Sequence, residues 1–275
     1  MKKTILGLMA LLLPLTINAQ LISVEPGTGR TETKKETHRV EATVEADIVS
    51  RYIWRGQDLA GFSIQPRASV SWRGLSLTAE GSASLQQDDY RELDLTLAYQ
   101  LGPVNIGVSD YWCSGIDFEN RYLYYDAENG PHKFEANLGF TCKYFSLQGY
   151  CMFWGNDYKV QRTSLDPLKR AYSTYIELGV PFRIGGVDFQ ATAGITPMES
   201  GGTWEAIERQ TELGVREVNT RVYEYAEGFA CCMASLRATK ELQFGRLNLP
   251  IFAEFNANPY LSKANLIFGL SIKPW

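Results

Sequence analysis

The chain has 275 residues with 27 Lys and Arg, 31 Asp and Glu and a formal net charge of −4, and 45% of its side chains are hydrophobic. A mildly acidic balance gives no electrostatic attraction to a phosphate backbone, so it argues against a nucleic-acid-binding protein. The five cysteines match no metal-ligand spacing, and the sequence leaves their disulfide pairing open.

The N-terminus has the parts of an export signal. Two lysines precede an apolar run over residues 5–15, and Ala19 is a small residue suited to cleavage. The run is too short for a membrane-spanning helix, and no later run of 18 apolar residues follows it. We therefore predict a cleaved signal peptide over residues 1–19 and a polar, flexible periplasmic tail over residues 20–38.

From residue 39 onward apolar and polar residues alternate, which is the pattern of β-strands with two different faces. In the first segment, for example, Val44 and Ile48 alternate with Glu45 and Asp47. Similar segments follow along the chain, at residues 40–48, 64–72, 75–85, 93–99, 104–108, 134–140, 145–153, 172–182, 187–195, 230–236, 247–255 and 264–272. The pattern predicts about twelve strands in one domain, residues 39–275, and helical periodicity is found only weakly around residues 204–213.

The links between these segments alternate in length. The short links are residues 73–74, 102–103, 142–144, 183–186 and 240–246. The long links are residues 55–63, 86–91, 113–131, 155–170 and 197–227. Short turns on one rim and long loops on the other are typical of a bacterial outer-membrane β-barrel. The predicted fold is all-β: a transmembrane, antiparallel, up-and-down barrel with short periplasmic turns and long extracellular loops.

Alternation alone does not separate a membrane barrel from a soluble sandwich or ligand-binding barrel, in which the apolar row points inward. Here the polar rows hold Ser, Thr, Asn and Gln with few Lys, and aromatic residues gather near segment ends. Both features favour a polar lumen and a lipid-facing outer surface. On this parity Tyr52 and Trp54 are predicted to face lipid. Trp275 resembles the terminal aromatic residue that the barrel-assembly machinery recognises, so lipid and that machinery are the expected partners.

The stretch SRYIWRG at residues 50–56 and the terminal segments NANPYL and LIFGLSI resemble the Gcw_chp-type family of Gram-negative outer-membrane barrels. The aromatic-rich loops are also similar to those of Bacteroidetes outer-membrane proteins. This resemblance implies a barrel located in the cell outer membrane, and it implies no particular activity.

The polar parity places charged side chains in the predicted lumen. The candidates for a lumen constriction are Arg51, Arg55, Arg67, Glu80, Glu92, Asp94, Lys133, Glu135 and Glu177. Walls of opposite charge would select small polar or charged solutes during passive passage, as in a porin. The alternative is a packed network whose charges neutralise one another and leave no pore. The link 197–227 and the N-terminal tail are candidate plugs.

Aromatic residues also gather in and before the link 113–131. They are Tyr111, Trp112, Tyr122, Tyr124 and Tyr125. Such residues can form a glycan-binding platform or an interfacial girdle, so a structural barrel or a surface-loop binding protein remains an alternative. A barrel-embedded hydrolase is less favoured, because His132 falls on the apolar parity and is poorly placed as a base for a lumen serine. We expect no catalytic residue, no cofactor and no metal.

Overall fold

The computed structural model describes residues 39–86, 90–114, 121–160, 169–211, 214–245 and 247–273. The predicted signal peptide, the tail and Trp275 lie outside these ranges. The strands within them are β1 (Glu41–Val49), β2 (Tyr52–Trp54), β3 (Gln57–Ala60), β4 (Ser63–Trp72), β5 (Leu75–Ser84), β6 (Arg91–Leu101), β7 (Val104–Ser114), β8 (His132–Thr141), β9 (Ser146–Gly155), β10 (Thr174–Ile184), β11 (Val187–Thr196), β12 (Gly202–Thr211), β13 (Gly214–Tyr223), β14 (Ala230–Phe244), β15 (Leu247–Asn258) and β16 (Lys263–Ile272). Helices long and apolar enough to cross a membrane are absent from these ranges.

Twelve of these strands close into a barrel in the order β1-β16-β15-β14-β11-β10-β9-β8-β7-β6-β5-β4, and each neighbouring pair is antiparallel. The ring closes between β1 and β16, where Ala46 pairs with Ile272 and Val49 with Gly269. Closure leaves the ring without a free sheet edge, so its backbone donors and acceptors bond to one another. The twelve strands coincide with the twelve alternating segments, which confirms the predicted all-β, antiparallel twelve-stranded barrel.

The two faces of the barrel differ as the alternation predicts. Outward-facing apolar residues such as Leu97, Ile106 and Leu138 are exposed on the barrel surface. Their inward-facing neighbours are polar, and several, such as Ser109 and Glu135, are buried. The hydrophobic surface therefore lies outside the barrel, whereas the polar side chains meet in its lumen.

The strands are joined by tight turns at one end of the barrel, which we call the short-turn rim. In the turn between β4 and β5, Gly74 has a φ of +85°, and a Cβ there would lie 2.7 Å from the Gln100 carbonyl oxygen. Glycine is therefore needed for both the backbone conformation and the close approach of β6. The opposite end, called the long-loop rim, carries most of the longer connections.

The segment between β1 and β4 differs from its prediction. Its strands β2 and β3 pair only with each other, and the ladder between β1 and β4 stops at Val49 and Ser63. Trp54 contacts the inward-facing ring of Tyr111, with 5.9 Å between centroids, and Tyr52 contacts Tyr90. The prediction that Tyr52 and Trp54 face lipid is wrong, because the chain leaves the barrel wall after β1 and the parity of that strand no longer applies.

The link 197–227 contains a second separate hairpin, formed by β12 and β13. Its register runs from Gly202 opposite Tyr223 to Thr211 opposite Gly214. The weak helical periodicity noted at residues 204–213 does not correspond to a helix in the described part of this stretch, since β12 is a strand up to Thr211. Among the described strands, these two pair with each other and with no strand of the barrel. Beyond β13 the chain returns to the barrel, where Tyr225 is buried.

Candidate functional site in the barrel lumen

The hairpin formed by β2 and β3 fills the lumen near the long-loop rim, and its tip is fixed against β14 and β15. Gly56 at the tip has a φ of +82°, and a Cβ there would lie 2.1 Å from the Cys232 carbonyl oxygen. The Asn258 side-chain amide donates a hydrogen bond of 3.2 Å to the Gly56 carbonyl oxygen. Because no larger residue fits this contact, the tip requires glycine to dock.

The neighbouring residue in the tip, Arg55, forms a buried ion pair with Glu135 on β8. Its two terminal nitrogens donate to the two carboxylate oxygens at 2.6 and 2.7 Å. The side chains are 7% and 0% exposed, respectively. Arg55 also donates to the Tyr225 hydroxyl oxygen at 2.5 Å, while the Tyr111 hydroxyl donates to Glu135 at 2.8 Å. A bidentate, fully bonded pair of this kind holds the hairpin in one position.

Aromatic rings enclose the Arg55 guanidinium. Its central carbon lies 4.1 Å from the ring centroid of Tyr150, 4.5 Å from Trp54 and 4.9 Å from Tyr175. A guanidinium keeps its proton in proteins, so Arg55 is positively charged in this enclosure. The positive charge is therefore retained and stabilised by both the carboxylate and the ring faces.

The opposite side of the hairpin is held by apolar contacts. Ile53 packs against an inward-facing cluster of Val49, Phe252 and Ile267, all of them buried. Close to the rim, Ser200 accepts hydrogen bonds from the backbone nitrogen atoms of Tyr225 and Ala226. These contacts hold the segment after β13 over the hairpin. Together the two segments occupy the long-loop end of the lumen.

The lumen nearer the short-turn rim is accessible to solvent. Arg67 pairs with Glu80 at 2.6 Å and with Glu45 at 3.3 Å. The side chains of Arg67 and Glu80 are 46% and 41% exposed, so this ion pair is solvated although its length equals that of Arg55 and Glu135. The lumen thus has a closed half and a solvated half.

One wall of the solvated half is lined by neutral amides. Asn105 donates a hydrogen bond of 3.4 Å to the Asn137 side-chain oxygen and accepts one of 3.4 Å from the Gln148 side-chain amide. They lie over Gly139, where a Cβ would approach the Gln148 side-chain oxygen to 1.9 Å. Glycine is therefore required at this position, because a side chain would clash with the amides of Gln148 and Asn105.

The remaining charged candidates make other contacts. Arg51 pairs with Asp58 at the base of the β2–β3 hairpin, and Lys133 donates to Glu224 at 2.5 Å. The other acidic candidates line the lumen wall: Glu92 accepts from Tyr90 at 2.9 Å, Asp94 lies two residues further along β6, and Glu177 accepts from Tyr175 at 3.3 Å. Of the nine lumen candidates, the structure directly joins Arg55 to Glu135 and Arg67 to Glu80.

The five aromatic candidates do not form one platform. Tyr111 points into the lumen, whereas Trp112 points outward and packs edge-on against Tyr122 at 5.5 Å. Tyr125 stacks on His132 at 3.9 Å, and Tyr124 lies beneath Arg121. The barrel wall separates Tyr111 from the other four, so these five residues do not share one surface.

His132 holds the same loop against the outer wall of the barrel. Its Nδ1 lies 2.8 Å from an Asp110 carboxylate oxygen and its Nε2 lies 2.5 Å from the Tyr122 carbonyl oxygen. The ring is fully buried. Both nitrogens are already engaged, and they face away from the lumen, so His132 has a structural role here.

Several residues of the closed half were missed by the sequence reasoning. Tyr150 and Tyr175 lie on the polar parity of β9 and β10, and Tyr225 lies in the link after β13. Large rings at lumen positions indicate a filled lumen rather than a hydrated one. That signal was present in the sequence at residues 150 and 175, whereas nothing in the pattern pointed to Tyr225.

No family model and no curated protein matches the chain, so the Gcw_chp-type resemblance is not confirmed. The chain is similar to an outer-membrane channel from Pseudomonas putida F1, at 12% identity over 90% of this chain and 98% of that one, with a TM-score of 0.39. It is also similar to a porin, at 11% identity over 78% and 62% of the two chains, with a TM-score of 0.33. With similarity this low, the architecture rests on the strand pairing within this chain itself.

Proposed function

We propose that this chain is an outer-membrane channel for passive passage of small polar or charged solutes, closed by its β2–β3 hairpin. The observation that carries this proposal is the contrast within one lumen. Near the short-turn rim the lumen is solvated and lined by charged and amide side chains. Near the long-loop rim it is filled by the β2–β3 hairpin, which is not part of the barrel wall. Release of Arg55 from Glu135 would then open the long-loop rim.

The proposed location follows from the outward apolar face. Residues such as Leu97 and Leu138 would contact lipid, and a closed ring satisfies the backbone without water. The predicted signal peptide over residues 1–19 would direct export, and the last strand would engage the barrel-assembly machinery. The short-turn rim would face the periplasm and the long-loop rim the exterior.

A second candidate function is a non-conducting structural barrel. The buried pair of Arg55 and Glu135 favours it, since a fully bonded network can be a permanent part of the core. The two functions differ in whether the hairpin leaves its site. A permanent core would not open when the docking of the hairpin alone is weakened.

Liposome swelling with sugars and amino acids separates the two functions. Gly56→Ala places a Cβ against the Cys232 carbonyl oxygen, so it should release the hairpin and increase solute entry over the wild type. Gly102→Ala is the matched control, because Gly102 also has a positive φ, of +57°, but a Cβ there meets no atom within 4 Å. Faster swelling with Gly56→Ala alone supports the channel. Equal, background swelling of all three folded proteins would refute it and support the structural barrel.

A further inference from the structure

We propose that Glu92, Asp94 and Ser82 form a binding site in the lumen for the ammonium group of a small organic amine. This proposal rests on the channel function proposed above, because a solute reaches the site only through the lumen. It names the class of solute that the channel would admit. The site lies on β5 and β6, beside the docked hairpin.

The three side chains converge through strand register. Glu92 and Asp94 are two residues apart on β6 and therefore point to the same, inward face. Ser82 on β5 is directly opposite Glu92, and Glu80 is directly opposite Asp94. Two carboxylates and a hydroxyl thus share one patch of wall, and all three groups can accept hydrogen bonds.

Two acceptor oxygen atoms in this patch have no hydrogen-bond donor among the described residues. The Ser82 hydroxyl is buried without a hydrogen-bond partner among the described residues, and its residue is only 5% exposed. One carboxylate oxygen of Asp94 is likewise buried and without a partner within the described chain. Buried polar atoms are nearly always hydrogen-bonded, so two orphaned acceptors facing one patch indicate a ligand that donates.

The nearby basic side chains form ion pairs with other acidic residues. Arg67 is held by Glu80 and Glu45, and Lys133 is held by Glu224. Within the described ranges, neither Glu92 nor Asp94 has a basic side chain within 4.0 Å. Two adjacent buried carboxylates without a counter-charge do not both ionise readily, and a positively charged ligand would favour the ionised form of both.

The chemistry of the patch favours an ammonium ion over a metal ion. Across the described residues, no three His, Cys, Asp or Glu side chains are arranged to hold a metal. A primary ammonium offers three N–H donors, one for each of the three acceptors, and needs no fixed coordination geometry. The rings of Tyr52 and Tyr90 lie beside the patch, 6.0 Å apart, and Tyr90 bonds to Glu92. Aromatic faces add attraction for an organic cation.

Calorimetric titration of the full detergent-solubilised chain with 1,4-diaminobutane tests the site. We expect binding to the wild type or, if the docked hairpin blocks access, to the Gly56→Ala variant. Glu92→Gln should weaken the affinity at least about tenfold, because a hydrogen bond to a charged group contributes on that scale. Tetramethylammonium, which has the same charge on its nitrogen but no N–H donor, should bind at least about tenfold more weakly than the diamine.

Two further variants complete the design. Ser82→Ala should also weaken diamine binding, and its small change preserves the fold if Glu92→Gln does not fold. Glu241→Gln is the control, because Glu241 is an exposed acid near the short-turn rim and should leave the affinity unchanged. Absence of diamine binding in both the wild type and Gly56→Ala, or unchanged affinity in Ser82→Ala and Glu92→Gln, overturns the site. Flux without diamine binding refutes the site alone, whereas binding without flux refutes the channel alone.

Discussion

The buried pair of Arg55 and Glu135 predicts a large effect of a small substitution on channel opening. Glu135→Gln keeps the size of the side chain but removes the charge that Arg55 contacts through both terminal nitrogens. The guanidinium would remain in an almost fully buried site without a counter-charge. Removing one partner of a buried ion pair costs about 3–5 kcal/mol.

The substitution destabilises the docked state of the hairpin relative to the undocked state, because Arg55 is exposed to water once the hairpin undocks. Taking the lower limit of about 3 kcal/mol, since Gln retains one acceptor, the undocked fraction should rise by about 100-fold. Glu80→Gln provides a matched control within the same lumen. It breaks an ion pair that is also 2.6 Å long but solvated, and such pairs contribute only about 0–1 kcal/mol.

Single-channel recording in planar bilayers measures this difference as open probability. We expect Glu135→Gln to open about two orders of magnitude more often than the wild type, until the open probability saturates. Glu80→Gln should change the open probability less than about fivefold. If both variants fold and open equally often, burial of the ion pair does not control the hairpin and this reasoning is wrong.

Further predictions concern the loop at residues 121–131 and the cysteines. Asp110→Asn removes the charge beside His132, so the loop should detach and be cut faster by added protease, while the melting of the barrel stays unchanged; an unchanged cleavage rate would contradict this. Two backbone amides in its own turn lower the pKa of Asp126, so its stabilisation of the turn is complete above the ordinary pKa of Asp and is lost as the pH falls through the lowered value. The protection of the turn amides against exchange, measured relative to the intrinsic rate at each pH, should therefore fall on acidification, and protection free of this dependence would refute it. The five cysteines are all free, so unfolding without reductant should expose five thiols, and a lower count would reveal a disulfide.

The twelve barrel strands could be predicted because each has one apolar and one polar face. Val44 and Glu45, for example, occupy opposite faces of β1 as their alternation indicates. Such a pattern can be recognised within a single strand, without knowing which strands are neighbours. The order of the strands could also be predicted, because every short link joins two strands that are antiparallel neighbours in the barrel.

The hairpin inside the lumen was hidden for a related reason. Tyr52 and Trp54 continue the alternation of β1, so the sequence shows no break at the point where the chain leaves the wall. The sequence signal that could have been used is Gly56, because glycine readily adopts positive φ, and in the structure Arg55 and Gly56 both do so. A tip of this kind reverses the chain and is typical of a tight hairpin.

The partners of the charged residues could not be predicted from spacing. Arg55 and Glu135 are 80 positions apart, and Lys133 and Glu224 are 91 apart. Parity placed both charged members of the first pair in the lumen, but their contact depends on how deeply the hairpin enters and on which wall it meets. Those distances follow from packing of the whole barrel.

Conductance of a barrel without the hairpin tests the central claim most directly. Val49 and Ser63 are directly paired, so residues 51–62 can be replaced by Asn-Gly to give a short loop without disturbing the ring. We predict a steadily open channel from this variant, with brief openings from the wild type under the same conditions. A folded variant that stays as silent as the empty bilayer would contradict closure of the lumen by the hairpin alone.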